Sequence, residues 1–568
     1  MAGRVTNSMA DVTVMETYLQ QLTPDGIRVA IANFLPPDLG DIERAEVLES
    51  ALRSESGPLL RAQMARWIAN DIVRVERLVP RTYGQWYPPV RDAMSFVVSN
   101  LSAARLVPKI VEQINLPSQT PAEIRVLRLI AKVPGIQKLG QVLARDRHLR
   151  PSLRKALTTL ENGIHDVTAE EICAIIETRL GSRLSSFDVQ IRPKILSEAS
   201  VSAVVPFTWL NPAKRLHEEG VFKVLKPHIP KFFAEDMDLL QELARFFGRK
   251  HREYGFGPHV IPDTFTKVRQ LLEHEVDFAG EQANLVKAHS VYSSVPGIRV
   301  PQVIPALCAP DVTAMSYEHG VKVTNAVAHM SGSARAKVSK QLLVALTAIP
   351  LCSAKPESIF HADPHAGNLL YDRHTGNVTL VDWALTENLS RDQRRHMALL
   401  LVMVALRDPV GTCDELRALS QANICPDSRK AEVIQNVVIR FLDGVQLTQG
   451  SYFLETMRLL QSVALRGIRF PASLIMFSKV LFTLNGILKD IGATALPMSS
   501  IIGKQLIREW LTMPATFPSP LSASDWLRLP WRAALYGARV FVDWQECQLN
   551  HYLGEVRAVV RPSCGPCT

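Results

Sequence analysis

The stretch His361-Ala-Asp-Pro-His-Ala-Gly-Asn368, followed by Val381-Asp382-Trp383, decides the reading of this chain. It sets Asp363 ahead of Asn368 and then Asp382 at the spacing used by phosphotransfer sites. In such sites the first Asp lies near the attacking group, while the Asn and the later Asp hold Mg²⁺ against the ATP phosphates. Hard oxygen donors suit this task, because Mg²⁺ keeps several waters and takes only one or two carboxylates from the protein. Leu369–Tyr371 and Val378–Val381 are apolar, partly β-branched runs around Asp372-Arg-His-Thr-Gly-Asn377. The pattern predicts a hairpin with a Gly-Asn turn, which brings Asn368 and Asp382 together at its open ends. The alternative is a polar loop before an ordinary hairpin, with His361 and His365 at surface or capping positions; the residues upstream weigh against it.

A phosphate-binding lysine is expected on a strand ahead of a helix that carries a glutamate. Val221-Phe-Lys223-Val-Leu225 supplies the strand and the lysine. One helix is predicted from Asp263 to Lys287, with Pro262-Asp263 as its N-cap. Phe265, Val268, Leu272, Val276, Ala279, Ala283 and Val286 recur at steps of three and four, so one face packs on a core. Glu275, Asp277 and Glu281 fall on that same helix. Glu275 and Glu281 then lie about 120° apart around it, with Glu275 nearer the apolar arc, and either serves as the partner of Lys223.

Three further motifs bear on the family. Glu275-Val-Asp277-Phe-Ala-Gly-Glu281-Gln-Ala-Asn284 resembles the ExDxxxEAxN signature of the UbiB (AarF-type) atypical kinases, and Lys138-Leu-Gly-Gln141 resembles their KxGQ motif. His361 to Asn368 is similar to their HADPHPGN loop, with Ala366 in place of the proline. Sugar and aminoglycoside phosphotransferases share an Asp-rich loop and a following Asp-Trp, and the KxGQ and ExD pair separates the two groups. The resemblance runs from about Val133 to Lys489. It implies an α+β, two-lobed protein-kinase-like fold with a helical N-terminal extension and a helical C-terminal tail. It also implies binding and hydrolysis of ATP with Mg²⁺ in support of ubiquinone-type isoprenoid lipid synthesis. By the same resemblance Lys223 meets the α/β-phosphates and Glu281 pairs with it. Asp363 is the catalytic-loop Asp, and Asn368 and Asp382 are the metal ligands. Ala199 and Ser200 lie in the nucleotide loop, and Ser316, Tyr317 and Glu318 stand at the hinge that contacts adenine. Lys138, Gln141, Glu275 and Asp277 form an extra layer over the site where a protein kinase receives a peptide, which argues against a protein substrate.

Two departures from the family pattern concern turnover more than fold. Leu196-Ser-Glu-Ala-Ser200-Val-Ser-Ala203 stands where the family has an Ala-rich loop followed by Ser-Ile-Ala-Gln, so Glu198 falls among residues expected near phosphates. A carboxylate there repels triphosphate unless it points away or meets a cation. Asp382-Trp-Ala384 replaces Asp-Phe-Gly and removes a flexible glycine. These departures motivate a second reading, a non-catalytic nucleotide-sensing scaffold for lipid-modifying enzymes; a third is a small-molecule (antibiotic or sugar) phosphotransferase.

At 568 residues, 47% hydrophobic and 21% charged, the chain has material for a large core and several domain-sized units. The boundaries are read as a helical region at 1–120, the KxGQ extension and N-lobe at 121–318, the C-lobe at 319–510, and a Trp/Arg-bearing tail at 511–568. A net charge of +9 is modest for this length and permits contact with nucleotide or anionic lipid. No nucleic-acid partner is expected, since no aromatic-basic pattern, zinc spacing or basic recognition helix is present. Eight scattered cysteines read as reduced thiols, and Cys564-Gly-Pro-Cys567 as an inert tail.

Asp11 and Glu16 interrupt the first apolar stretch, so no secretory signal is expected. Met397–Leu406 reads as a buried helix, and Lys479 and Lys489 interrupt the apolar run from Ser473, so no transmembrane helix is expected. The expected location is cytoplasmic or at a membrane periphery. For the latter, Trp526, Trp531 and Trp544 mix with Arg528, Arg532 and Arg539, as at a headgroup interface. Asp543 and Glu546 oppose that attraction, and packing of the same helix on the C-lobe is the alternative.

Overall fold

The computed structural model describes residues 39–55, 57–74, 81, 87–117, 119–144, 167–255, 260–353, 355–444, 452–492, 520–525, 527–532, 534–535, 538 and 545. The chain divides into two compact units, Met1–Gly280 with Val303–Tyr317, and Glu281–Gln302 with Glu318–Thr568.

In the first unit, helices Asp41–Arg53, Gly57–Trp67, Tyr87–Asn100, Ala103–Asn115, Ala122–Ile130 and Pro134–Ala144 precede the sheet. Leu48, Met64, Trp67, Leu106, Ile110 and Val133 meet in their shared core. The sheet is antiparallel, in the order β1 (Gln190–Ile191), β3 (Ser202–Asn211), β4 (Leu216–Leu225), β6 (Val312–Ser316), with β2 (Ser197–Glu198) paired to β3. Alternation sets its faces: Ala203, Val205, Phe207 and Trp209 are buried on β3, and Phe222 and Val224 on β4. They pack on Ile172, Ile176 and Leu180 of helix Ala169–Leu180, which a Thr168/Glu171 capping box starts.

The helix expected from Asp263 to Lys287 is two helices, Val260–Val276 and Phe278–Tyr292. Asp277 breaks the run. Its Oδ1 accepts the Gly280 N–H at 2.9 Å, capping the second helix. The break resets the helical phase: Phe265, Val268 and Leu272 are buried as expected, whereas Ala279, Ala283 and Val286 are exposed, and Phe278, Leu285 and Ala288 are buried instead. The angular comparison of Glu275 with Glu281 therefore does not apply.

The second unit holds a four-stranded sheet in the order β5 (Ile298–Arg299), β10 (Val378–Leu380), β9 (Leu369–Tyr371), β7 (Val321–Lys322) and a two-stranded pair, β8 (Glu357–His361) with β11 (Thr386–Ser390). The β9–β10 hairpin has Val378 opposite Tyr371 and Leu380 opposite Leu369, as its sequence predicts. Gly376 turns it at φ +70°, a conformation open to glycine. Helix Arg391–Ala405 buries Met397, Leu400 and Met403 and starts from a Ser390/Gln393 capping box. Helix Ala472–Asp490 is, among the described residues, the one that by length and composition alone is long and apolar enough to cross a membrane. Leu474, Phe477, Val480, Leu481, Leu484 and Ile487 on it are buried within the protein.

Candidate active site

In the first unit the β2–β3 turn is tied at several points. The Ala199 N–H donates to Ser202 O at 2.8 Å, and the Lys226 N–H to Val201 O at 2.9 Å. Glu198, read from the sequence as a hazard to phosphate, is buried and meets a cation: its Oε1 lies 2.7 Å from Lys226 Nζ, with the two side chains 0% and 1% exposed. Ser200, also buried, donates its hydroxyl to Glu275 Oε2 at 3.1 Å. The other Glu275 oxygen takes Lys138 Nζ in an ion pair, so the KxGQ lysine, the ExD glutamate and the turn serine meet. The backbone of Gln141 belongs to helix Pro134–Ala144, while its side chain lies outside the described residues. Lys223 sits mid-sheet, opposite Val204 on β3 and Thr313 on β6, half-buried, with Nζ 5.7 Å from the Phe278 ring. Ser316 pairs with Gly220 at the end of β6, and the Tyr317 N–H continues the ladder to Glu219 O at 3.2 Å.

In the second unit, β8 delivers the loop that starts at His361. That imidazole is fully buried: Nε2–H donates to Val381 O at 3.0 Å and Nδ1 accepts the Asp363 N–H at 3.2 Å. Both nitrogens are thus satisfied in a neutral ring, and burial holds its pKa below the ordinary histidine value. His361 is a buried brace, and not the surface or capping group weighed above. His365 is a cap, accepting the Gly367 N–H on Nδ1 at 3.0 Å. The Asn368 side-chain amide N–H donates to Asp363 O at 3.2 Å. The Val381 N–H bonds Asn368 O at 3.0 Å, so the hairpin ends do meet.

Asp382 has φ +62°, a left-handed conformation that Asp and Asn tolerate better than most side chains. The residue after it, Trp383, is fully buried. Its indole donates to Leu380 O at 3.0 Å and its ring meets His361 at 5.0 Å and Tyr292 at 5.7 Å. Trp383 is therefore a packed anchor next to Asp382. Asn284, the last residue of the ExDxxxEAxN run, donates to Trp383 O at 3.1 Å. Glu281 is buried, 2% exposed. Arg299 faces Glu318 at 3.9 Å.

Among the described residues no three His, Cys, Asp or Glu groups gather to hold a metal by themselves. The Asn368 oxygen and the Asp382 carboxylate are hard donors, a set suited to Mg²⁺ shared with phosphate. Sequence reasoning missed Lys226, Asn284 and Lys479. The motif itself signalled Asn284, whereas Lys226 and Lys479 reach Glu198 and Asp363 only through long-range folding.

The tail touches the second unit through charge. Arg395 makes a two-pronged bond to Asp525, both arms 2.7 Å, and this bond holds the Asp525 pKa well below the usual carboxylate value. Arg532 reaches Asp408 at 3.1 Å, and Leu521 packs on Ala398 and Leu399. Helical residues 523–525 and 527–532 continue this segment. Leu527, Trp531 and Leu535 are 80%, 69% and 54% exposed. Trp526, Arg539, Phe541, Asp543, Trp544 and Glu546 of the expected headgroup helix, and Cys564 and Cys567, lie outside the described residues.

Residues 159–413 match the ABC1 atypical kinase-like domain. The chain is 25% identical over 275 residues to a probable protein kinase UbiB of Histophilus somni, covering 48% of this chain and 49% of that one. It is 28% identical over 280 residues to the chloroplastic protein Activity of BC1 Complex Kinase 1 of Arabidopsis thaliana, covering 49% and 39%. The chain thus spans about half the length of the curated relatives it matches. Among solved structures, a complex of Rv3197 with erythromycin from Mycobacterium tuberculosis superposes with TM-score 0.42 at 16% identity, covering 66% of this chain and 90% of that one. Residues 159–413 are thus similar to an ABC1 atypical kinase-like domain, and the relatives matched over about half their length include probable UbiB protein kinases.

Proposed function

We propose that the protein binds ATP with Mg²⁺ and transfers or hydrolyses its γ-phosphoryl group in support of isoprenoid lipid (ubiquinone-type) synthesis. The observation that carries the reading is the braced loop of the second unit, where the Asp363 backbone is held by His361 and Asn368, and Val381 by Asn368. Bound Mg²⁺-ATP supplies the phosphoryl group. Lys223 meets its phosphates with Glu281 as partner, since Lys138 and Ser200 engage Glu275. Ala199 and Ser200 line the phosphate turn, and Ser316, Tyr317 and Glu318 take the adenine. Asn368 and Asp382 hold the metal, and Asp363 takes the acceptor proton. Lys138, Gln141, Glu275 and Asp277 cover the site and favour a small acceptor over a peptide, with Asp277 also capping its helix.

The exposed Leu527, Trp531 and Leu535 add a peripheral membrane contact to this reading, because the polar side of the segment is spent on Arg395 and Asp408. One experiment addresses acceptor and surface together. ATP consumption is followed with a quinone-precursor phenol, with a hydroxylated antibiotic, and with anionic vesicles that are then pelleted. Stimulation by the phenol or the vesicles, and loss of pelleting in Leu527→Glu/Trp531→Glu, is expected. Stimulation by the antibiotic alone favours the small-molecule phosphotransferase, and nucleotide binding without consumption favours the scaffold.

A further inference from the structure

Helix Ala472–Asp490 is apolar along most of its length, yet Lys479 sits in its middle beside buried Phe477, Ser478, Val480 and Leu481. Lys479 Nζ lies 3.2 Å from Asp363 Oδ1, with the two side chains 40% and 28% exposed. The helix is anchored to the strand that feeds the loop: the Phe477 ring meets Phe360 of β8 edge-on at 5.2 Å and 78°. Lys479 is thereby held over Asp363 by packing. The segment His361 to Asn368 contains no lysine or arginine of its own.

We infer that Lys479 is a positioning residue for the proposed phosphoryl transfer, supplying from a distant helix the ammonium that the loop lacks. Its bond to Oδ1 fixes the Asp363 carboxylate that is to receive the acceptor's proton. A fixed carboxylate loses less freedom in reaching the reactive arrangement. The ammonium also offsets the repulsion between that carboxylate and a triphosphate, an electrostatic contribution made without reorganisation. As a partly exposed ion pair it adds little to folding stability, so its effect belongs in rate. This inference rests on the phosphotransferase reading.

The test is steady-state ATP consumption by the full chain carrying Lys479→Met, Lys479→Arg, Asp363→Asn, or Asp363→Asn with Lys479→Met. Lys479→Met is expected to lower kcat by roughly tenfold to a hundredfold, with the KM for ATP within about threefold and the melting temperature unchanged. Lys479→Arg recovers most of the loss. The double variant is no slower than Asp363→Asn alone, because two residues acting as a unit are not additive. A Lys479→Met enzyme with wild-type kcat, or a double variant in which the losses multiply, would overturn the inference and leave the reading standing. A wild type that consumes no ATP would overturn the reading, and the inference would fall with it.

Discussion

Mg²⁺-ATP is expected to raise the melting temperature of the wild-type protein, and Lys223→Met or Asp382→Asn to remove most of that rise. A ligand that binds only the folded state at a hundred times its Kd stabilises by about 2.7 kcal/mol, so the wild-type shift is well within reach of a thermal scan. Both substitutions spare the fold. Methionine keeps the apolar stem of Lys223, which lies half-buried between Val204 and Thr313 and near the Phe278 ring. Asparagine accepts the left-handed backbone of Asp382, whereas a residue without that tolerance adds strain of about 1 kcal/mol or more. Unliganded melting temperatures therefore stay close to wild type. An undiminished shift in both variants would remove Lys223 and Asp382 from the nucleotide site.

The largest stability effect is expected at Glu198 and Lys226. Their side chains are 0% and 1% exposed, so removing one partner takes a counter-charge away from a buried ion. Lys226→Met or Glu198→Ala alone is expected to cost about 3–5 kcal/mol, read as a fall in the denaturant midpoint. Glu198→Met with Lys226→Met fills a similar volume without charge and is expected to restore most of the loss. Single variants within about 1 kcal/mol of wild type would show that the pair is open to water. The double variant also tests whether the pair is needed for nucleotide affinity, since the two residues close the turn that bears Ser200.

The hairpin of residues 369–380 was legible because its signals are local: alternation, a left-handed Gly376, and Asp372, whose carboxylate accepts from the His374 N–H and the Thr375 hydroxyl. The strand that bears Lys223 was legible for the same reason, a lysine in a β-branched run. The helix break at Asp277 was hidden because apolar residues continued at steps of three and four across it. The competing signal was an Asp with a glycine three residues on, a capping arrangement that periodicity outweighed. Glu198 was misjudged for a different reason. Its counter-ion follows β4 and reaches it only when β2, β3 and β4 pair, a register no local pattern specifies. The same holds for Lys479, whose charge was read as an interruption of an apolar run and which the fold turns towards Asp363.

The central claim, that this domain uses Asp363 in Mg²⁺-dependent chemistry on ATP, is tested most directly by phosphate release from ATP by the purified wild type and by Asp363→Asn, each with Mg²⁺ and with a chelator. The account predicts release by the wild type with Mg²⁺, loss of that release in the chelator, and a fall of at least about a hundredfold in Asp363→Asn with ATP affinity kept. Equal release by wild type and Asp363→Asn, or release that persists in the chelator, would contradict it.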